Sequence, residues 1–427
     1  MASILKTLWQ PTFVEHLPRR ERRGCEYGAY LPDRVSGQSF QLDGDVAADI
    51  GDAEAGITLF NAEATTLTGL EGLARMLLRA EAVASSKIEG LEVGGRRLLH
   101  AEMARNLGDS LRDVTAKEVL GNIDAMAWAL NSIDPQRAIE VDHILEIHRR
   151  LMAGTRLERQ SGMLRTQQNW IGGGDYNPCD ADYVPPPHDA VPDLMVDLCK
   201  FCNEQELPVL AQAAIAHAQF ETIHPFVDGN GRVGRTLIHI VLRRRGLATR
   251  VLPPVSLILA TMSRDYVKRL SDTRYVGAPS GVEARNGWNG WLAFFATTCS
   301  RAVSDARQFE ENVGALKASW RERLGRIRSG SAIDLLIEAL PGAPVVTVNS
   351  AASLIHRTFA AANDAIGQLA AASILHQVNV GRRNRAFEAT EVIDAFNGLE
   401  RQLASPQRDT RVSPPARAVP ARTRSRP

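Results

Sequence analysis

The chemistry-bearing residues of this chain crowd into one stretch, His224-Pro225-Phe226-Val227-Asp228-Gly229-Asn230-Gly231-Arg232-Val233-Gly234-Arg235. The preceding run, Ala211 to Ile223, is Ala-rich and reads as a helix. A residue before proline is pushed out of the α region, so His224 stands where that helix ends. Val233, Leu237, Ile240 and Val241 share one face beyond it, so a second helix opens near Arg232. Gly229 and Gly231 bracket Asn230 and let the backbone turn sharply, with N–H groups exposed at a helix N-terminus, which is an anion site. Arg232 and Arg235 share a face in the first turn, where two cations oppose the helix dipole unless a polyanion sits beside them. Asp228 offers a hard oxygen suited to Mg²⁺ bridging phosphates, and His224 is the nearby group able to take a proton at neutral pH. A plain helix-capping loop would account for a lone His-Pro or Gly-Asn-Gly. It does not account for a phosphate cradle, a metal ligand and a base in one ordered run. Walker Gly-Lys-Ser/Thr is missing, and Gly172 to Gly174 do not fit the dinucleotide pattern.

This run resembles the signature HPFx(D/E)GNGRxxR of the Fic family of protein adenylyltransferases and matches every defined position. The likeness extends from about Leu31 to about Leu324. It implies that His224 deprotonates a Ser, Thr or Tyr hydroxyl of a target protein, which attacks the α-phosphorus of ATP and expels pyrophosphate. It further implies Asp228 as the Mg²⁺ ligand. Gly229, Asn230 and Gly231 would bind the α- and β-phosphates through backbone N–H groups and the Asn side chain, with Arg232 and Arg235 on the outer phosphates. Phe226 would anchor the loop as a buried ring. Upstream, Ser85-Ser86-Lys87-Ile88-Glu89-Gly90 is similar to the family's inhibitory pattern (S/T)xxxE(G/N). By that resemblance Ser85 and Glu89 belong to an N-terminal inhibitory helix, with Arg235 as the partner of Glu89. Family members also use other nucleotide donors or remove AMP, and a phosphate cradle does not read the base, so both alternatives stay open.

The elements that must position these residues are mainly helical. Leu70, Leu73, Leu77, Ala80, Ala84 and Ile88 recur at three and four residues and mark an amphipathic helix ending near Gly90. Arg97 to Asn106, Ala116 to Ser132 and Val141 to Ala153 follow as helices, whereas residues 1 to about 68 read as loops and short elements. Arg165 to Pro187 departs from the helical habit: Trp170-Ile171, a Gly172-Gly173-Gly174 turn and Tyr183-Val184 before three prolines read as a β-hairpin, or else as a connecting loop. Prolines cannot donate to a ladder, so the hairpin would keep backbone groups free at Tyr183 and Val184. It is similar to the family's target-binding flap, and a target segment would then add to it as a strand.

A second long pattern, from Trp288 through Phe295, Cys299, Phe309 and Trp320 to Leu324, gives a helix of roughly 55 Å. It packs against the same chain or forms a homodimer seam. Ser331 to Asn397 reads as helix, short strand, two helices and a hairpin around Gly381-Arg382-Arg383-Asn384, the pattern of a small winged helix-turn-helix. Such a module binds DNA or protein, and few Arg, Asn or Gln lie on its recognition helix to read base edges. The expected fold is thus mainly α. Residues 1–115 form an N-terminal helical region with the inhibitory helix, and 116–326 a catalytic core with a flap hairpin and a long closing helix. Residues 331–400 form the winged-helix-like domain, and 405–427, with six Arg and one Asp, a disordered tail that cannot bury a core.

Composition limits the remaining classes. With 427 residues, 44% hydrophobic and 23% charged, the chain is an ordinary globular protein of two or three domains. Fifty Lys+Arg against forty-nine Asp+Glu leave +1, so no global field points to nucleic acid or membrane. No apolar run reaches the ~20 residues of a membrane span, and the N-terminus lacks a secretory h-region, so a cytoplasmic location is expected. Five cysteines without a framework spacing suit a reducing compartment. Cys199-x-x-Cys202 sits in the amphipathic run Asp193 to Glu206, which favours burial over metal or redox use. His217 and His239 are read as helix residues. The expected partners are ATP with Mg²⁺ and a protein bearing a hydroxyl side chain, self-modification included.

Overall fold

The computed structural model describes residues 1–10, 24–63, 70–132, 137–174, 176–380 and 384–403. Two strands open the chain, β1 (Ser3–Trp9) and β2 (Cys25–Leu31), followed by α1 (Gly44–Glu63), α2 (Leu70–Ile88), α3 (Gly95–Asn106), α4 (Val114–Ser132) and α5 (Val141–Met152). Next come α6 (Val191–Asn203), α7 (Val209–Ile223), α8 (Asn230–Arg244), α9 (Val255–Thr261), α10 (Ser263–Asp272) and the long α11 (Val282–Leu324). The C-terminal part contains α12 (Ala332–Ala339), β3 (Val345–Val346), α13 (Val348–Leu354), α14 (Phe359–Ala371), β4 (His376–Val380), β5 (Asn384–Glu388) and α15 (Thr390–Leu403). The expected mainly helical class is observed.

The chain divides into two compact units. One consists of Met1–Asn61, Gly121–Thr249 and Arg264–Ser300, the other of Ala62–Leu120, Arg250–Ser263 and Arg301–Pro427. The linear segments 1–115 and 116–326 each contribute to both, whereas 331–400 falls within the second.

At the centre of the first unit lies the α7–α8 pair. Leu210 to Ile223 and Asn230 to Leu242 are buried along their whole lengths. Small residues make this possible. Ala211, Ala213, Ala214, Ala216 and Ala218 on α7 let neighbours approach closely, and α5, α6 and α11 supply the large side chains. Trp291 on α11, fully buried, donates its indole N–H to the Ala214 carbonyl at 2.9 Å, which satisfies the one polar atom of a large apolar group. His217 shares a hydrogen bond of 2.8 Å with the Tyr266 hydroxyl. β1 and β2 pair antiparallel, with Ser3 opposite Leu31 and Trp9 opposite Cys25.

The second unit packs α2 against α9, where buried Glu81 accepts the backbone N–H and the hydroxyl of Ser256. Its three-stranded sheet has the order β3-β5-β4. Leu99 and Met103 of α3 join Val345, Ala386 and Ile393 in one apolar cluster, so the C-terminal sheet buries its face on the N-terminal helices rather than on itself. Glu388, 1% exposed, receives Arg96 and His100 of α3. The turn bearing Arg382 and Arg383 and the tail 405–427 lie outside the described residues.

Two expectations need correction. Residues 1–68, read as loops and short elements, contain a β-ribbon and a helix of 20 residues; Val46, Ile50, Ala53, Ile57 and Phe60 form the buried stripe of α1. The odd cysteine count concealed a pair, because Cys25 and Cys179 form a disulfide across 154 residues, beyond the range of any spacing rule. Cys199 and Cys202 are buried in α6, and desolvation pushes the Cys199 thiol up to about 12, as expected of core cysteines.

The α7–α8 contact is close enough to depend on one glycine. Alanine is favoured over glycine by about 1 kcal/mol inside a helix, yet a methyl at Gly234 would lie 2.6 Å from Glu221 Oε1 and 2.9 Å from Phe220 Cδ1. Overpacking costs about 1–3 kcal/mol. Gly234→Ala is therefore expected to lower the urea midpoint of unfolding, and a midpoint at or above the parent's would show that propensity outweighs the clash.

Candidate functional site

The loop from His224 to Gly229 reverses the chain between two buried helices. His224 caps α7 with φ 49° and ψ 60°, the left-handed conformation, and donates its N–H to the Phe220 carbonyl at 2.9 Å. A non-glycine residue there costs of order 1–3 kcal/mol and persists only where neighbours impose it. The His224 Nδ1 lies 4.0 Å from Glu221 Oε2, and the imidazole remains partly accessible at 18%.

Phe226 is fully buried, its ring stacked on His148 of α5 at 3.8 Å and 7°. Asn230 clasps the same residue, accepting the Phe226 N–H through Oδ1 and donating to the Phe226 carbonyl through Nδ2, both at 2.8 Å. The Asn230 side chain thus ties itself to the loop backbone through both its oxygen and its nitrogen. His148 accepts the Gly162 N–H at Nδ1, 2.9 Å, which leaves its proton on Nε2 to donate to the Asp228 carbonyl at 3.1 Å. Burial pushes its pKa down to about 4, so it stays neutral.

Gly229 adopts φ 79°, and a Cβ there would lie 3.0 Å from Leu151. The first intrahelical bond of α8 runs from the Val233 N–H to the Gly229 carbonyl, so the N–H groups of Asn230, Gly231 and Arg232 have no acceptor within the helix. Arg232 and Arg235 are 3% and 1% exposed. Arg232 Nε and Nη1 are buried with no hydrogen-bond partner among the described residues. Buried donors are almost always satisfied, so three backbone N–H groups without a hydrogen-bond acceptor among the described residues, beside that guanidinium, suit a polyanion. Asp228 lies at the rim, half exposed, with Oδ1 accepting the Gly229 N–H at 2.6 Å and Oδ2 3.8 Å from Arg232. No cluster of three or more metal-ligating side chains occurs among the described residues. A single carboxylate does fit Mg²⁺, which takes most of its ligands from water and substrate phosphates.

The segment read as a hairpin narrows to a bridge. Ile171 and Tyr183 exchange both backbone hydrogen bonds, at 2.8 and 3.1 Å, and no ladder extends from them. Gly172 and Gly173, at φ 75° and 72°, end the pairing on one side, and the prolines end it on the other. The backbone groups expected to be free are occupied: Tyr183 is paired with Ile171, and the Val184 carbonyl accepts the Tyr30 N–H of β2 at 2.9 Å. The Tyr183 hydroxyl donates to the Thr222 carbonyl of α7 at 2.7 Å, and Arg274 lies 3.5 Å above its ring. Trp170 packs edge-on to Trp9 of β1 and donates to the Gly174 carbonyl. Beside it lies a depression of about 370 Å³ lined by Gln168, Asn169, Trp170 and Gly172 to Gly174. The disulfide ties this segment to β2 as well.

His224, Asp228, Gly229, Asn230, Gly231, Arg232 and Arg235 therefore gather on one loop and helix start, with Trp170, Ile171, Tyr183 and Val184 in the same unit. Ser85 and Glu89 belong to the second unit. Ser85 is buried within α2, while Glu89 is exposed just past its last helical residue, its N–H on the Ser86 carbonyl. Sequence reading missed His148 and Arg165. The first carried only the signal of a histidine on the buried stripe of α5, and Arg165 carried none.

The model of the Fic/DOC family matches residues 138–242, and that of the Fic/DOC family N-terminal region matches residues 47–131. The protein adenylyltransferase fic-1 of Caenorhabditis elegans is 32% identical over 176 residues, 39% of this chain and 31% of that protein. The protein adenylyltransferase Fic of Drosophila melanogaster is 32% identical over 161 residues, 37% and 30% of the two chains. This chain thus spans about a third of the length of the curated relatives it matches. The crystal structure of a Fic family protein from Desulfovibrio desulfuricans shares the fold, with a TM-score of 0.50 at 21% identity over 82% of this chain and 97% of that one.

Two buried imidazoles make the fold pH-sensitive. Desolvation pushes His148 down to about 4 and His217 down to about 3. In the unfolded chain both take up protons below about pH 6.5. Their neutral burial contributes fully above that pH, and the contribution is lost as pH falls through 6.5 towards those folded-state values. Unfolding free energy from urea titrations should fall on acidification from pH 7 to pH 5 by up to about 1.4 kcal/mol per unit for each histidine. His148→Phe should flatten the slope, and an unchanged slope would refute this assignment.

Proposed function

The chain belongs to the Fic/DOC family, and from that membership we propose that it transfers AMP from ATP to a Ser, Thr or Tyr hydroxyl of a protein. The observation that supports this reading best is the unsatisfied, buried Arg232 beside the free N–H groups opening α8. Such donors hold phosphate oxygens and stabilise the charge spread over them during transfer. His224 takes the proton of the incoming hydroxyl. The oxygen forms a bond to the α-phosphorus as the bond to the β-phosphate oxygen breaks, and pyrophosphate leaves. Arg232 and Arg235 hold the outer phosphates. Asp228 is the residue to hold Mg²⁺, which would neutralise phosphate charge when bound. The target segment lies along the Trp170–Gly174 side of the bridge, because the Tyr183–Val184 side is occupied by β2.

Use of another nucleotide, or removal of AMP, would employ the same cradle. DNA binding through 331–400 receives little support: α14 contains no Lys or Arg, and its exposed positions include Asn363, Asp364 and Gln368. Restraint by Ser85 of α2 and Glu89 just past its end rests on the sequence pattern and is part of the proposal.

Two outcomes are expected. The parent chain incubated with ATP and Mg²⁺ should gain little mass, and Glu89→Gly should gain AMP clearly faster, read by intact-mass measurement. Equal rates in a folded, ATP-binding Glu89→Gly protein would remove the inhibitory role. Within the Glu89→Gly chain, His224→Ala should keep ATP binding yet slow incorporation by about 10²–10⁴-fold; a loss of only a few-fold would rule out His224 as the base.

A further inference from the structure

Arg165 is 3% exposed and sits within ion-pair distance of no carboxylate among the described residues. Its guanidinium is instead used up on backbone carbonyls. Nε donates to His224 at 2.9 Å and Nη2 to Ile223 at 3.3 Å, both at the C-terminal end of α7. Nη1 donates to Gln167 at 3.2 Å and Nη2 also to Pro186 at 2.5 Å, the two ends of the flap. The Arg165 N–H adds a bond to the Pro225 carbonyl. Burying a cation without a counter-ion is costly, and burial pulls this guanidinium down to about 10, still charged at neutral pH. The partial negative charge of the α7 terminus offsets part of that cost.

We infer that Arg165 is a positioning residue, a clamp that holds the flap in register with His224. The inference rests on the adenylyl-transfer reading, in which the flap presents the hydroxyl and His224 removes its proton. Asn169 and Tyr183 add neutral bonds from the flap to the carbonyls of His224, Phe226 and Thr222, but among the described residues only Arg165 reaches both flap ends and the carbonyls of Ile223 and His224. Lysine keeps the charge without the planar fork that serves several acceptors at once. Its ammonium would leave carbonyls unpaired and let flap and base drift. Misplacement by about 1 Å is enough to slow such a reaction about 10²-fold without touching the nucleotide.

The test uses the full chain with Arg165→Lys, in both the parent and the Glu89→Gly backgrounds. AMP incorporation into the chain itself is followed with ATP and Mg²⁺, together with amide hydrogen exchange. The expected result is a fall in kcat of about 10²-fold with KM for ATP within threefold, and faster exchange at 167–174 and at 223–226 together. A kcat within threefold of the parent overturns the clamp, as does faster exchange in one segment only or in neither. A Glu89→Gly chain that incorporates no AMP defeats the transfer reading instead, and the exchange result then decides the clamp by itself. Should Arg165→Lys fail to fold, native-state exchange of the unsubstituted chain decides: one common opening free energy for the two segments supports the clamp, and separate ones refute it.

Discussion

The side-chain amide of Asn230, bonded to both backbone groups of Phe226, is the interaction on which the site depends. A loop joining two helices with little surface of their own must satisfy its polar groups without water. Asn230 does so from inside the next helix, in the manner of a backbone turn. With Phe226 pinned from one side by that amide and from the other by the stacked His148, the chain cannot relax at Pro225 or Val227. His224 and Asp228 are then held at either end of a rigid strip. Preorganisation of this kind is where most electrostatic catalysis originates.

The flap is held by different means. Its own pairing is a single bridge, too short to be stable in isolation. Its position comes from outside: carbonyls at the end of α7 and in the loop after it receive Arg165, Asn169 and Tyr183, β2 supplies Tyr30, and a disulfide joins Cys179 to Cys25. The N-terminal ribbon is therefore part of the flap's framework, despite lying some 150 residues away in the chain. The loop and the start of α8 are built locally, whereas the bridged segment is held by distant parts of the chain.

That difference explains what could be read in advance. Helices α2, α4, α5 and α11 bury one stripe at three-to-four spacing, and the residues of the loop and α8 are contiguous, so both were legible in the chain. The role of the Asn230 side chain was not, because an amide beside a phosphate cradle and an amide folded back on its own loop look alike in one dimension. α1 was hidden by Asp43, Gly44 and Asp45 at its start, which read as a turn. β1 exposes Ile4, Leu5 and Leu8, so the alternation that marks a half-buried strand is missing. The partners of Arg165 and the Cys25–Cys179 pair depend on tertiary approach alone.

The left-handed backbone of His224 has a consequence for how the sequence can change. At the position ending a helix, glycine is the residue the backbone prefers, and histidine is kept there against that preference. Any drift governed by stability alone would replace it with glycine or asparagine, tightening the fold while removing the proposed proton acceptor. Durability and reactivity thus compete for one residue, and a lineage released from its function would lose the imidazole before it lost the cradle beside it.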